Sequence, residues 1–235
     1  MKPPLSILPL GLLLIFLWSP ASAQTYTAPG SQTFTNPTAW DFGAGSFGTW
    51  DIPVSDAALT LNILTHGTPA QTATNDLNLT LNTLNLDTFN TGTTTLAASL
   101  GGDYAFTGAA QINLLGTGSA VFSAPIVLGS GATGLTFDGA GTAFLFNISG
   151  VIASNTSVGA ALHIATDARN VLTSNVILGG ANTFAGGVVL DSGALALSNA
   201  RALGDRSNVL TINGGVLRAS STITTQPIRH RPINR

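Results

Sequence analysis

The sequence predicts an all-β fold, a parallel β-helix or β-solenoid built from short strands with glycine-rich corners. Three observations carry that prediction: the composition, a two-residue alternation of apolar side chains, and glycines placed between the alternating runs. The 235-residue chain is 44% hydrophobic but only 8% charged, has no Glu, and has one Lys, Lys2. Exposed helices need long charged or amide side chains on their wet face, and Thr, Ser and Asn, which suit strands and turns, supply the polar groups instead. So little charge with so much apolar content is the opposite of a disordered composition. The formal net charge of −2 and a pI near 5.8 give no basic field, so nucleic acid is not an expected partner. Cysteine is absent, which removes disulfides, thiolate metal sites and a lipidated N-terminal Cys from consideration.

The first element is an address. Met1-Lys2, an apolar run from Leu10 to Trp18 and the ending Pro20-Ala21-Ser22-Ala23 are the three parts of a secretory signal peptide over residues 1–23. Cleavage after Ala23 leaves Gln24 as the first mature residue. The run is too short to cross ~30 Å of hydrocarbon at ~1.5 Å per residue, so no stable membrane span is expected after cleavage. The expected location is therefore secreted, or at the outer membrane or cell surface.

Residues 24–60 read as an N-terminal cap or opening segment. Pro29, Pro37 and Pro53 interrupt them, and Trp40, Phe42, Phe47 and Trp50 cluster among glycines. Packing as a hydrophobic cap is the expected role of those aromatics, with sugar stacking as the competing one.

Residues 61–220 carry the repetitive pattern. Leu77, Leu79 and Leu81 alternate with Asn78, Thr80 and Asn82, and Leu84 and Leu86 continue after a one-residue slip. Period two means a strand with one buried face. Similar runs follow at Ile112–Leu115, Ala120–Phe122, Ile126–Leu128, Leu135–Phe137, Ala143–Ile148, Ala161–Ile164, Asn175–Leu178, Val188–Leu190, Ala194–Leu197, Val209–Ile212 and Val216–Leu217. Turn signals such as Gly101-Gly102, Gly129-Ser130-Gly131, Gly179-Gly180 and Asn213-Gly214-Gly215 lie between them. Strands of roughly three to six residues are short for a sandwich and suit stacked coils. At ~20–25 residues per coil, about nine coils make a rod of about 40–45 Å. Residues 221–235 form an irregular basic tail, broken by Pro227 and Pro232.

Residues 176–219 hold the most specific text. Gly180, Asn182, Thr183, Phe184, Gly186 and Gly187 open it, Gly193, Asn199, Ala202, Leu203 and Gly204 continue it, and Asn213, Gly214, Gly215 and Leu217 close it. This pattern resembles the autotransporter-associated β-strand repeat of bacterial passenger regions. The stretch from Ser123 to Gly150 resembles the lead-in of such repeats. The resemblance implies a β-solenoid displayed outside the cell, in which Leu190, Leu195, Leu197, Leu210 and Ile212 face a narrow core. The residues themselves agree with it, since Asn182 or Asn199 is placed to bond backbone at a corner or to stack in a ladder. Family members normally end in a membrane β-barrel of ~10-residue alternating strands. No such text follows Ser220, so the expectation is a truncated fragment lacking its barrel, or a chain whose end is covered by a partner.

No catalytic, cofactor-binding or metal-binding residue is assigned from the sequence, and no cofactor is expected. The ten Asp are scattered, and Asp138, Asp191 and Asp205 read as turn residues beside Gly, Ser or Arg. His163 with Asp167 has the composition of a catalytic pair but reads as a strand running into a turn; His66 and His230 are isolated. Gly101-Gly102-Asp103 resembles one unit of a calcium-binding nonapeptide without a second copy. Gly129-Ser130-Gly131 lacks the Lys of a phosphate loop. The Asn-x-Ser/Thr triplets at Asn78, Asn147 and Asn155 carry little information in a chain this rich in those residues. The expected function is an exported surface scaffold or adhesin-like protein, not an enzyme, meeting a surface glycan or another cell-surface ligand. The competing reading is a carbohydrate-active β-helix enzyme, a polysaccharide lyase or hydrolase, which requires paired or clustered carboxylates.

Overall fold

A computed structural model describes residues 24–26, 32–35, 40–41, 53–65, 70–88, 93–99, 101–115, 118–139, 145–155, 161–166 and 175–219. Residues 1–23, expected to be a signal peptide, the tail beyond 219, His66, Asp167 and most of the Trp40–Trp50 run lie outside the described residues. Every regular element among those described is a strand, and the strands pair in parallel between successive coils, which makes the fold a β-solenoid.

Each coil contributes one strand to each of two long sheets. The first sheet stacks β1 (Gln24–Tyr26), β4 (Thr60–Thr65), β6 (Asn78–Thr88), β8 (Asp103–Leu114), β11 (Gly134–Gly139), β14 (Ala161–Thr166), β16 (Val188–Ser192) and β18 (Leu210–Ile212). The short strand β3 (Trp40–Asp41) lies antiparallel to β1 at the edge of this sheet. The second sheet stacks eight strands: β2 (Gln32–Thr33), β5 (Ala70–Asn75), β7 (Thr93–Ala98), β9 (Ser119–Phe122), β12 (Leu145–Ile148), β15 (Asn175–Leu178), β17 (Ala194–Leu197) and β19 (Val216–Ala219). A third, narrower face forms where the first halves of β6 and β8 meet β10 (Ile126–Leu128) and β13 (Ile152–Ser154).

Alternation places every second side chain in the interior, and parallel register stacks like on like. Leu61, Leu84, Ile112, Phe137, Ile164, Leu190 and Ile212 form one inward column, with successive members 22 to 28 residues apart. Ala73, Leu96, Phe122, Ile148, Leu178 and Leu197 form its counterpart on the second sheet. Leu79, Tyr104, Ile126 and Ile152 complete the interior from the third face and are all buried. Aromatic rings fill the wider coils edge-on: Tyr104 and Phe122 have centroids 5.3 Å apart, and Phe137 and Phe146 6.1 Å.

Glycine sets the corners where side chains have no room. Gly193 turns the chain between the two sheets at φ +80, and Gly215 repeats that turn one coil later at φ +78, with Val216 N–H donating to the Gly193 carbonyl at 2.8 Å. At the entrance to the third face, a Cβ on Gly150 would overlap the backbone carbonyl of Ala124 in the coil beneath.

Four expectations are corrected. The coils span 22 to 28 residues along the first sheet, reaching beyond the expected 20–25, and the second sheet stacks eight strands where about nine coils were expected. β6 and β8 run to 11 and 12 residues because each bends from the third face into the first sheet without losing its pairing. The slip between Leu81 and Leu84 is that bend, and the register shifts there, where β8 inserts extra residues around Gly108 at φ +65. Finally, Asp138 and Asp191 lie in strands β11 and β16, not in turns.

Candidate functional site

The outward side of the first sheet carries the densest array of polar side chains. One outward row reads Thr60, Thr83, Gln111, Thr136, His163, Val189 and Thr211 through the strand registers. The next row begins Asn62, Asn85, Asn113 and Asp138. Stacking identical amides at strand spacing lets each donate to the one below: Asn85 Nδ2 to Asn62 Oδ1 at 2.8 Å, and Asn113 Nδ2 to Asn85 Oδ1 at 2.8 Å.

The row changes character at Asp138 and reaches a charged group three coils above Asn113. The register between β14 and β16 pairs Ile164 with Leu190 but Ala165 with Ser192, so Asp191 is the extra residue of a bulge. The bulge turns its carboxylate to His163, whose Nδ1 lies 3.1 Å from Asp191 Oδ2. Asn213, next to Ile212 one coil higher, donates Nδ2 to Asp191 Oδ1 at 2.7 Å. These three groups tie three successive coils together. The Asn213 hydrogen bond, with the contact to His163 adding to it, holds the Asp191 carboxyl below the usual carboxylate range against the opposing effect of burial.

His163 and Asp191 have the relationship of a base and its orienting carboxylate. Among the described residues the ring bonds Asp191; its row neighbours are Thr136 and Val189, and the nearby Ser192 hydroxyl donates to the Thr166 carbonyl at 2.7 Å. Asp138 and Asp191 share the outward side on two strands separated by β14, with the small Ala165 between them. At ~4.8 Å per strand their backbones stand roughly 10 Å apart.

Other carboxylates among the described residues serve the backbone. Asp205 holds a turn by accepting from Ser207 N–H at 2.8 Å and Ser207 Oγ at 2.6 Å, which lowers its carboxyl pKa, as the turn reading of the sequence expects. Asp76 accepts from the backbone and hydroxyl of Thr35, pinning the first coil to the second. Asp103 opens β8 and is raised by burial. Among the described residues no group of three or more His and Asp could hold a metal ion. No helix among them is long and apolar enough to cross a membrane, which says nothing of a β-barrel.

The repeat-like residues are architectural. Asn182 is buried, accepts from Ile152 N–H at 2.8 Å and donates to the Ala202 carbonyl at 2.7 Å. Asn199 Oδ1 accepts from Arg201 N–H at 2.8 Å, and Phe184 and Ala202 are core residues. Leu190, Leu195, Leu197 and Leu210 are buried, and Ile212 packs partly against them. The sequence missed the His163–Asp191–Asn213 link, since its partners are 28 and 22 residues apart and only register unites them. Comparison with protein-family models, curated proteins and solved structures gives no match to this chain.

Proposed function

We propose that this β-solenoid is an exported surface scaffold or adhesin-like protein of passenger type, without a catalytic role. The observation that supports the reading is the use made of its outward polar groups. On the first sheet the amides of Asn62, Asn85 and Asn113, and the His163–Asp191–Asn213 link, bond coil to coil along the axis. Such groups stiffen a rod, and a rod that holds its shape suits spacing, coating or adhesion to a surface glycan or another cell-surface ligand. Expression of the full chain in a bacterium with an outer membrane tests export. The expected result is a mature chain beginning at Gln24 that is released to the medium or cut by protease added to intact cells. Retention of the uncleaved chain inside the cell defeats the proposal.

A second reading, a carbohydrate-active solenoid enzyme, is favoured by the placement of Asp138 and Asp191 on either side of Ala165. Inverting glycosidases hold two carboxyl groups roughly 6.5–9.5 Å apart. Reducing-sugar release from neutral and acidic polysaccharides, measured on the full chain and on Asp138→Asn and Asp191→Asn, separates the two. Activity lost in either variant establishes the enzyme; no release by the unaltered chain leaves the scaffold.

A further inference from the structure

In a solenoid the order of the sequence is the order along the axis, so a charge gradient in the sequence becomes a charge gradient in space. The gradient here is steep. From Pro3 to Ala168 the chain has eight Asp and no Lys or Arg; from Arg169 to Arg235 it has seven Arg and two Asp. Among the described residues, Asp56, Asp76, Asp103 and Asp138 belong to the earlier coils, and every Arg belongs to the last. Arg201 and Arg206 are exposed in the turns that lead from β17 to β18, and Arg218 lies on β19.

The same end presents core-type side chains and unpaired backbone. β18 pairs only with β16, and β19 only with β17, among the described residues. Leu217 continues the inward column of Val176 and Leu195, which are fully buried, yet is 37% exposed; Val216 beside it is 38% exposed. At the opposite end, among the described residues, β2 is the outermost strand of the second sheet and pairs only with β5.

We propose that copies of this chain associate head to tail, the Arg-bearing last coil of one copy docking on the acidic first coils of the next. Opposite charge steers the two ends together, and the open edge of β19 meets β2 of the neighbouring copy in the parallel sense already used between coils. The contact joins two different surfaces related by translation along the axis, so it does not close and gives chains of copies. This proposal is independent of whether the surface role is adhesive or enzymatic.

Sedimentation velocity on the full chain over a concentration series tests it. In about 10 mM salt, where charges act over ~30 Å, the sedimentation coefficient is expected to rise with concentration; in about 1 M salt, where the range is ~3 Å, it should fall back toward the monomer value. The exposed pair Arg201→Glu and Arg206→Glu should abolish the rise at low salt while leaving the β-sheet circular dichroism and melting temperature unchanged. A chain that stays monomeric at every salt, or a double variant that associates as well as the parent, overturns the proposal. So does a monomeric parent that binds anionic lipid vesicles and loses that binding in the double variant, since the basic end then serves an anionic surface.

Discussion

The side-chain oxygen of Asn182 accepts the backbone N–H of Ile152 at 2.8 Å, across 30 residues of sequence and one coil of the solenoid. Its amide nitrogen donates to the Ala202 carbonyl at 2.7 Å, one coil further on. Among the described residues no strand pairs with β13 on that side, and this buried side chain, with Thr183 N–H donating to the Ile152 carbonyl at 2.9 Å, links the coils there.

Removing that side chain leaves a buried N–H and a buried carbonyl without partners. At ~1–3 kcal/mol for each unsatisfied group, Asn182→Ala should cost roughly 2–5 kcal/mol. Asn182→Asp should be no milder, because it keeps the acceptor but loses the donor and buries a charge. Urea unfolding of the two variants checks both statements; a loss under about 0.5 kcal/mol in both, the range of an ordinary surface change, contradicts them.

Two glycines separate conformational strain from steric strain. Gly101 sits at φ +83 with open space where a Cβ would go, so Gly101→Ala should cost only the ~1–2 kcal/mol of a left-handed backbone. Gly150 has no such φ, but its Cβ would overlap the Ala124 carbonyl, which stacks directly beneath. Gly150→Ala has to push two coils apart and should cost about 3 kcal/mol or more. Equal losses in thermal melts of the two variants would argue that the coils are not in contact at this corner.

The sequence made the apolar columns legible because period two is visible wherever the inward residues are Leu, Ile or Phe, as from Leu79 to Leu86. It hid β5 and β7, whose inward positions include Gln71, Asn75 and Thr94, all buried. There a narrow interior takes polar side chains, and the alternation of hydropathy fades. The repeat-like motif pointed to Asn182, which bonds the backbone of the coils on either side, and to corner glycines such as Gly193 and Gly215, whose positive φ the turns require. Asp191 escaped, since a bulge moves one residue outward without changing the composition around it. His163 drew notice in the sequence beside Asp167, which lies outside the described residues, whereas its contact with Asp191 spans 28 residues.

Asp103 is raised by burial, so its ionised form is the less favourable one in the fold. A carboxyl raised in the folded state costs stability when ionised and gives it back as pH falls through the folded pKa. Asp103→Asn should therefore be stabilising at neutral pH, by a small amount since the group keeps much of its contact with water, and the advantage over the parent should shrink as the solution is acidified. Melting temperatures of parent and variant at pH 7 and pH 4 give the comparison; a variant less stable than the parent at pH 7 contradicts it.

Asp191 behaves in the opposite sense. Its folded pKa lies below the ordinary value of 3.8, chiefly through Asn213 and then through His163. The stability it contributes is thus fully present above the unfolded carboxylate range and is lost as pH falls through the lowered folded pKa. Because the pair is exposed, the energy is small, and the sharper readout is the titration itself. Asn213→Ala removes the largest cause and should move the Asp191 carboxyl carbon midpoint, followed by NMR, upward toward the ordinary value. His163→Gln should move it upward by less. If Asn213→Ala leaves the midpoint where it was while His163→Gln moves it, the carboxylate answers to the imidazole and the three-coil link is in fact a simple ion pair.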